Sequence, residues 1–429
     1  MTMKRTLAAL AAASLAVAAL AGCSAGGSGG GDKVTISFWT HTHPPMIAVY
    51  KDLIKKYEKA HPDITIDYQT IPNDEFNTKM LTSLSNGSGP DLINMDDSAL
   101  RGDYIPKGLI APLDPKALGA KSVKDVESRY VAGTLAGATG DDGTLYGLPS
   151  EYDGSAFAIN VAHFKDAGLD PDTTPLATWD DVVAAGKKLA AAGHTQAFSF
   201  LYLHSGWYSQ QLQTLLHQTG GHIAKGDKGA LDSPASVKAL QLWADLAGGS
   251  KSLADPNKTS REATVPFQDL ATGTQSMAIV YPWAMDQIKQ TNPDTYKNLK
   301  VVPMPQLDPD HPSSRVYGYY WAVNKASKQQ TAAWTFVHFL SQHSDEFLAD
   351  ASFVQPLKGW DKTPTAQKIA FIDVWGPAYA TGKFDEVTPH YAEVQDAITD
   401  MVNDAVFDHV PVKEAAKKAS EAVTRILQG

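Results

Sequence analysis

The chain has 429 residues, of which 43% are hydrophobic and 20% are charged. This is too long for one compact unit and too apolar for a disordered chain, so we expect two domains. A single cysteine excludes a disulfide scaffold, a Cys-rich zinc site and an iron–sulfur cluster held within the chain. The 47 acidic residues outnumber the 37 Lys and Arg residues, the formal charge is −10, and no basic stripe is visible, so nucleic acid is not an expected partner.

The N-terminus has the pattern of a secretory signal. A basic head precedes an apolar run from Leu7 to Leu20, which is shorter than the ~20 residues that a transmembrane helix needs. The run ends in Leu20-Ala21-Gly22-Cys23, which resembles a bacterial lipobox, whose cysteine is acylated on sulfur. We predict a lipoprotein signal peptide over residues 1–22 and lipidation of Cys23. The alternative is an ordinary signal peptide followed by an incidental cysteine.

A glycine- and serine-rich stretch follows the cysteine. Residues 24–31 read SAGGSGGG, which has few side chains to pack and high backbone entropy, so we predict a flexible tether over residues 23–32. A lipid on Cys23 with such a tether would hold a folded body at the outer face of the cytoplasmic membrane. We therefore predict a lipid-anchored protein of the cell surface that can reach a membrane-embedded partner.

The first part of the folded body alternates between strand and helix patterns. The apolar spacing predicts, in order, a strand over 34–40, a helix from Pro44, a strand over 64–68, a helix over 73–84 and a strand over 90–95. Strands and helices that alternate with short connections are typical of a parallel sheet, whose ligands bind beyond the carboxyl ends of the strands. We expect residues 39–41 and 96–98 to lie at that edge.

A second unit with mixed patterns follows Pro149. The predicted elements are a strand over 157–161, a helix over 179–192 with Thr178 as N-cap, a strand over 198–203, helices over 210–218 and 236–247, a strand that ends at Tyr281, a strand over 316–324, and helices over 329–339 and 391–427. Because no repeat of fixed period is visible, solenoids and propellers are disfavoured. The predicted fold class is α/β.

Seven segments occur in a characteristic order. They are the lipobox, VTISFWT (34–40), GPDLINM (89–95), GTLYGLPSEYDGSAFAIN (143–160), PLATWDDVVAAGKKL (175–189), GTQSMAIVYPWAMDQI (273–288) and GYYWAVNKASKQQTAAWTFVHFL (318–340). Each segment is weak alone, but together they cover nearly the whole chain. The set resembles the carbohydrate-type extracellular solute-binding proteins of ABC importers, the group that includes maltose-binding protein.

The resemblance implies a two-lobed periplasmic-binding-protein fold, in which crossing segments join two α/β lobes that close on a sugar. By position, the expected lobes are residues 33–152 plus 319–355, and residues 153–318 plus 356–429. The expected crossings lie near 149–155, 317–320 and 354–359, where Gly154 and Gly318 can absorb hinge rotations. The resemblance also implies a monomer without cofactor or bound metal, which delivers its ligand to membrane permease subunits with a separate ATPase.

A sugar site needs flat aromatic rings for the apolar face of a pyranose and planar polar groups for its hydroxyls. By position, the candidate ligand contacts are Trp39, Asp97, Asp153, Trp207, Tyr208, Trp283, Tyr317, Tyr319, Tyr320 and Trp321. Strand alternation places residues 317, 319 and 321 on one face and residues 318 and 320 on the other. We favour the first set as the one that faces the cleft.

Several of these candidates have structural alternatives. Asp96 is as good a candidate as Asp97, and we expect one of the two to be a solvated charge or a helix N-cap. Trp39 is equally consistent with a cover over the edge of the core, and Trp283 with packing inside a lobe. Weaker candidates for the site are Glu75, His41, Trp375 and Tyr391.

An enzyme, a metal carrier and a non-sugar carrier are the alternative functions. A glycosidase needs two carboxyl groups about 5 to 9 Å apart, whereas the pairs at 96–97 and 141–142 are adjacent in sequence. No nucleophile elbow, zinc helix, EF-hand or Walker-A loop is present, and His41 and His43 lack an assignable third metal ligand. An amino acid, peptide or polyamine needs a fixed countercharge, and only Arg315 lies near the aromatic motifs. We therefore favour a binding protein for a di- or oligosaccharide without enzymatic activity.

Overall fold

The computed structural model describes residues 33–202, 205–254, 265–310 and 312–429, without the side chains of Asp74 and Ser205. The predicted signal peptide, Cys23 and the tether lie outside the described residues and stay predictions. Within the described part of the chain, no helix is long and apolar enough to cross a membrane.

Strands and helices alternate along most of the chain. The strands are β1 (Val34–His41), β2 (Ile64–Ile71), β3 (Leu92–Asp96), β4 (Gly147–Gly154), β5 (Ala156–Asn160), β6 (Ala224–Lys225), β7 (Lys228–Gly229), β8 (Met277–Val280), β9 (Leu299–Val302), β10 (Ser314–Val323) and β11 (Gly382–Lys383). The helices are α1 (Pro44–Ala60), α2 (Asn73–Ser85), α3 (Asp97–Ala99), α4 (Val123–Glu127), α5 (Val161–Asp166), α6 (Trp179–Ala191), α7 (Ser205–Thr219), α8 (Pro234–Ala247), α9 (Pro266–Thr272), α10 (Pro282–Thr291), α11 (Pro293–Tyr296), α12 (Gln330–Ser341), α13 (Ser344–Ala351), α14 (Ile372–Thr381), α15 (Tyr391–Val406) and α16 (Val412–Gln428).

The first sheet confirms the predicted parallel βαβ arrangement. β1 pairs in parallel with β2 and β3, so that Val34 lies opposite Ile64 and Phe38 opposite Leu92. β10 then adds antiparallel to β3, β4 adds antiparallel to β10, and β11 pairs in parallel with the start of β10. The carboxyl ends of β1 and β3 therefore lie at one edge, as expected for residues 39–41 and 96–98.

Local sequence signals account for the helix starts. In α1, two prolines occupy the first turn, where their missing N–H groups cost no hydrogen bond, and an apolar stripe that includes Tyr50, Leu53 and Tyr57 is buried. In α6, the side chain of Thr178 accepts from the backbone of Asp181, whose carboxylate accepts from the backbone of Thr178. This capping box confirms the predicted N-cap.

The second sheet is smaller and antiparallel, with the order β8-β5-β9. The predicted strand over 198–203 is wrong as a strand: within its described residues only isolated bridges form, at Phe198, which pairs with Met277, and at Tyr202. Phe198, Phe200 and Tyr202 alternate because they enter the second core, so their period reports burial rather than ladder pairing. The predicted helix over 391–427 is two helices, because Pro411 lies between α15 and α16.

Two antiparallel strands carry the chain between the two sheets. β4 leads through Ser155 directly into β5, and β10 lies beside β4 with Tyr317 opposite Asp153 and Tyr319 opposite Glu151. The ladder has a bulge at Ser150, because Tyr319 pairs with Glu151 and Tyr320 with Pro149.

Two glycines in these crossing strands are required by close packing. A Cβ on Gly154 would lie 2.7 Å from the ring of Tyr379, and one on Gly318 would lie 3.0 Å from the backbone oxygen of Glu151. Neither glycine has a positive φ. The absence of a Cβ therefore lets neighbouring groups pack against these two glycines. The predicted hinge role of both residues stays a prediction.

Candidate ligand-binding cleft

A cleft of about 510 Å³ lies where the carboxyl ends of β1 and β3 face the second sheet's helices. Its walls come from β1, β3, α2 and α3 on one side and from α7, α10 and α15 on the other, with β4 and β10 between them. The edge of the sheet that the sequence predicts as a binding edge therefore forms one wall. A volume of this size is typical of a site for a small organic ligand.

Aromatic rings form one continuous surface of the cleft. The ring centres of Trp207 and Trp283 are 6.5 Å apart, those of Tyr317 and Tyr319 are 6.3 Å apart, and those of Tyr319 and His41 are 4.5 Å apart. The indole Nε1 of Trp283 donates a hydrogen bond to the phenol oxygen of Tyr317 at 2.7 Å, which joins α10 to β10. The rings therefore span both walls of the cleft.

Two carboxyl groups lie at the end of β3. Asp96 accepts from the backbone N–H of Ala99 at 2.9 Å and caps α3, which confirms that one of the two aspartates is an N-cap. Asp97 accepts from the backbone N–H of Gly318 at 3.1 Å and from Nη2 of Arg101 at 3.0 Å. Burial raises the pKa of Asp96 to about 6 and also raises the pKa of Asp97.

Glu151 and Asp153 lie beneath the aromatic surface, on β4. The phenol oxygen of Tyr317 is 3.2 Å from Oε1 of Glu151 and 3.0 Å from Oδ2 of Asp153, and the Tyr379 hydroxyl donates to Oδ1 of Asp153 at 3.3 Å. Glu151 lines the cleft, although the sequence analysis did not select it. Its signal was available, because residues 151 and 153 of the SEYDG segment share one strand face.

Arg315 lies at the base of the cleft, where Asp385 neutralises it. Its Nε and Nη2 donate to the two carboxylate oxygens of Asp385 at 2.8 Å and 3.0 Å, and the two side chains are only 2% and 1% exposed. The backbone oxygen of Asp385 also accepts from Arg101 at 3.1 Å. Sequence reasoning missed Asp385, because nothing local marks the partner of an arginine 70 residues away.

Two histidines complete the wall near β1. Burial, and for His41 also the neighbouring His43, lowers the pKa of His41 to about 3, and burial lowers the pKa of His43 to about 4. Both imidazoles are therefore neutral at physiological pH. Among the residues that the structure describes, no group of three or more His, Cys, Asp or Glu side chains is arranged to hold a metal ion.

The structure brings together part of the predicted contact set. The predicted residues that line the cleft are Asp97, Trp207, Trp283, Tyr317 and Tyr319; the alternative Asp96 and the weaker candidates His41 and Tyr391 also line it. Glu75 and Trp375 do not. Trp207 lies in the first turn of α7, which begins at Ser205, before the start of the predicted helix over 210–218.

The structure corrects the predicted ligand contacts at Trp321 and Tyr208. Trp321 shares a strand face with Tyr319 but lies further inside the sheet, where it is fully buried and donates to the hydroxyl of Tyr50 at 2.8 Å. Tyr208 is 1% exposed and packs against Trp243 in the second core. Adjacent residues of a helix point about 100° apart, so when Trp207 faces the cleft, Tyr208 faces the core. The favoured face of β10 therefore reaches the cleft at 317 and 319 only.

Trp39, Asp153 and Tyr320 also lie outside the cleft. Alternation along β1 turns the Trp39 ring toward α2, where Nζ of Lys79 is 5.6 Å from the ring centre. Asp153 is fully buried behind Tyr317, and Tyr320 is fully buried on the opposite face of β10. The structure thus places Asp153 in support of the aromatic surface rather than in the cleft wall.

Comparisons with known proteins agree with this architecture. A profile of the bacterial extracellular solute-binding protein family matches residues 43–345. The chain belongs to this family. This solute-binding protein is 26% identical, over 95% of its length and 94% of the relative, to the arabinooligosaccharide-binding protein of Bacillus subtilis.

Solved structures of similar proteins show the fold. A solute-binding protein of Thermotoga lettingae bound with α-D-tagatose has a TM-score of 0.79 and 22% identity, covering 92% of this chain and 99% of that one. Maltose-bound MalE3 of T. maritima has a TM-score of 0.78 and 19% identity, covering 92% of this chain and 100% of that one. The fold is therefore the two-lobed periplasmic-binding-protein fold, as predicted, and these similar proteins are solute-binding proteins rather than enzymes.

Proposed function

We propose that this protein captures a neutral di- or oligosaccharide by closing its two lobes and delivers it to the permease of an ABC importer. The observation that carries the proposal is the cleft in which Trp207, Trp283, Tyr317 and Tyr319 form an aromatic surface beside the carboxyl groups of the β3 end. Rings stack on the C–H faces of sugars, and carboxylates accept hydrogen bonds from their hydroxyls. Relatives and neighbours named for arabino-oligosaccharides, tagatose and maltose support the same class of ligand.

The charges of the cleft argue against an amino acid or peptide ligand. Among the described residues that line the cleft, Arg315 carries the only permanent positive charge, and Asp385 already holds it through two hydrogen bonds. An α-carboxylate would therefore meet a positive charge that Asp385 already balances, and it would also meet Asp96 and Asp97. A neutral sugar meets no such penalty.

We infer that the lobes divide as the sequence predicts, at residues 33–152 plus 319–355 and residues 153–318 plus 356–429. One buried cluster joins residues between 36 and 148 to residues between 320 and 353, and a second joins residues between 157 and 304 to the C-terminal helices. A third, smaller cluster packs behind the crossing strands and takes members from both sides. Separate cores with a shared cluster at the crossings support a hinge at that position.

We also infer that the protein is a monomeric lipoprotein of the cell surface, anchored through Cys23 and served by permease subunits with a separate ATPase. Support comes from the lipobox-like Leu20-Ala21-Gly22-Cys23 and the glycine-rich segment after it. The native N-terminus is expected to begin at an acylated Cys23. Mass spectrometry of protein purified from membranes checks this, and an unmodified Cys23 or cleavage at another bond would contradict it.

Thermal shift in the presence of glycans tests the sugar proposal. We expect arabinotriose, maltotriose or another neutral oligosaccharide of a broad panel to stabilise the protein by ~2.7 kcal/mol at about 100 times its dissociation constant. Amino acids, polyamines and zinc ions serve as the matched negative panel. If one of these raises the melting temperature and no glycan does, the sugar proposal is wrong.

A further inference from the structure

Four polar side chains share one face of the crossing strands. Glu151 and Asp153 alternate along β4, and Tyr317 and Tyr319 lie opposite them on β10. Glu151, Tyr317 and Tyr319 line the cleft, while Asp153 lies beneath them. The two carboxyl groups are 3% and 0% exposed, and both lie within hydrogen-bond distance of the same phenol oxygen.

The protons at this oxygen can be counted. The Tyr317 oxygen accepts the indole N–H of Trp283, so its own single proton is left for one carboxylate acceptor. Oδ2 of Asp153 at 3.0 Å and Oε1 of Glu151 at 3.2 Å compete for that proton. With both carboxyl groups ionised, one would face the phenol oxygen without a donor, next to a like charge and away from water. The arrangement is satisfied when one carboxyl group keeps its proton and donates it to the other.

In the part of the chain that the structure describes, no cation pairs with these two carboxyl groups. Among the described residues, neither Glu151 nor Asp153 forms an ion pair, and the nearby guanidinium of Arg315 is bound to Asp385. The titratable groups that face Glu151 are Asp153 on β4, Tyr317 and Tyr319 on β10, Tyr50 on α1 and Tyr379 on α14. Burial first, and then the charge of Asp153, raise the pKa of Glu151 well above its usual value. Burial raises the pKa of Asp153 only to about 6, because that carboxylate receives hydrogen bonds from Glu151, Tyr317 and Tyr379.

We propose that Glu151 is kept as a neutral carboxylic acid and acts as a positioning residue for the ligand surface. Its acid proton goes to Asp153, the ionised Asp153 accepts the proton of the Tyr317 hydroxyl, and the Tyr317 oxygen accepts the indole N–H of Trp283 at the cleft. Glu151 thus sets the orientation of a ring on α10 from a strand of the crossing. The consequence for sugar affinity rests on the proposed function, but the protonation of Glu151 does not.

A ligand-free experiment tests the protonation. Glu151→Gln mimics the neutral acid, and Glu127→Gln, at an exposed position of α4, is the matched control. The unfolded chain releases the Glu151 proton above about pH 4.5, whereas the folded protein keeps it, so wild-type stability falls as pH rises above that value. From pH 5 to pH 8, the melting temperature of Glu151→Gln is therefore expected to rise relative to that of wild type. The melting temperature of Glu127→Gln is expected to follow the wild-type curve. A Glu151→Gln curve that parallels or falls below wild type, or a variant that does not fold at any of these pH values, overturns the proposal.

Affinity measurements test the positioning role. With arabinotriose or maltotriose at pH 7, Glu151→Gln is expected to bind within about twofold of wild type, whereas Glu151→Ala, which removes the support of Tyr317, is expected to bind about tenfold more weakly. An equal loss of affinity in both variants would mean that a charged carboxylate is needed, and it would overturn the proposal that Glu151 is neutral. If no glycan binds any form, the sugar proposal fails, and the ligand-free curves still decide the state of Glu151.

Discussion

Trp283→Ala and Trp321→Ala are expected to have opposite effects on sugar affinity and on stability, although the sequence predicts both residues as ligand contacts. Trp283→Ala should weaken sugar binding by ~1 to 3 kcal/mol, about 5- to 150-fold, and leave the melting temperature of the ligand-free protein nearly unchanged. Trp321→Ala should cost ~3 to 5 kcal/mol of unfolding free energy and change the affinity little. Denaturant unfolding without ligand and titration with the same glycan measure both quantities for each variant.

The difference follows from what each ring touches. Trp283 is half-buried at the start of α10 and faces the cleft, so its loss removes a contact surface. Trp321 is fully buried between Tyr50 and Phe347, so its loss leaves a cavity and removes the donor to the Tyr50 hydroxyl. Trp321→Phe serves as the control, since it keeps most of the volume. A large loss of stability with normal affinity in Trp283→Ala would remove the aromatic surface from the proposed site.

Much of the fold could be predicted because its signals are local. The period of β1 and β2, the two prolines that open α1 and the capping box at Thr178 each act within a few residues, and the structure contains all of them. The same rule failed at 198–202, where the alternating rings are buried but the backbone forms isolated bridges instead of a ladder. Periodicity reports which side chains are buried, and whether a ladder forms depends on distant segments.

The site was only partly predictable because depth along a strand is not encoded in its alternation. Tyr319 and Trp321 have the same orientation on β10, and the distance from the sheet edge decides which one meets the cleft. Helix geometry similarly separates Trp207 from Tyr208. Asp385 came from a part of the chain with no motif, and only its contact with Arg315 reveals it. Long-range packing therefore determines which of these side chains reach the cleft.

Asp385→Ala is expected to lower the unfolding free energy by ~3 to 5 kcal/mol. The substitution leaves the guanidinium of Arg315, whose side chain is 2% exposed, charged and without its carboxylate partner. Arginine does not escape this cost by deprotonation, since the pKa of its guanidinium is too high. Urea denaturation at pH 7 measures the loss. The exposed pair of Lys297 and Asp294 supplies the control, because Asp294→Ala is expected to leave the unfolding free energy nearly unchanged.

The double variant Arg315→Met/Asp385→Leu separates the lost charge from the lost packing. Two buried charges are costly to desolvate, so an apolar pair of similar volume is expected to recover most of the stability that Asp385→Ala loses. Because Arg315 also lies 5.0 Å from the ring centre of Tyr317, sugar affinity should fall in the double variant even where stability returns. If the double variant is as unstable as the single one, the loss arises from packing around β10 rather than from the unpaired guanidinium.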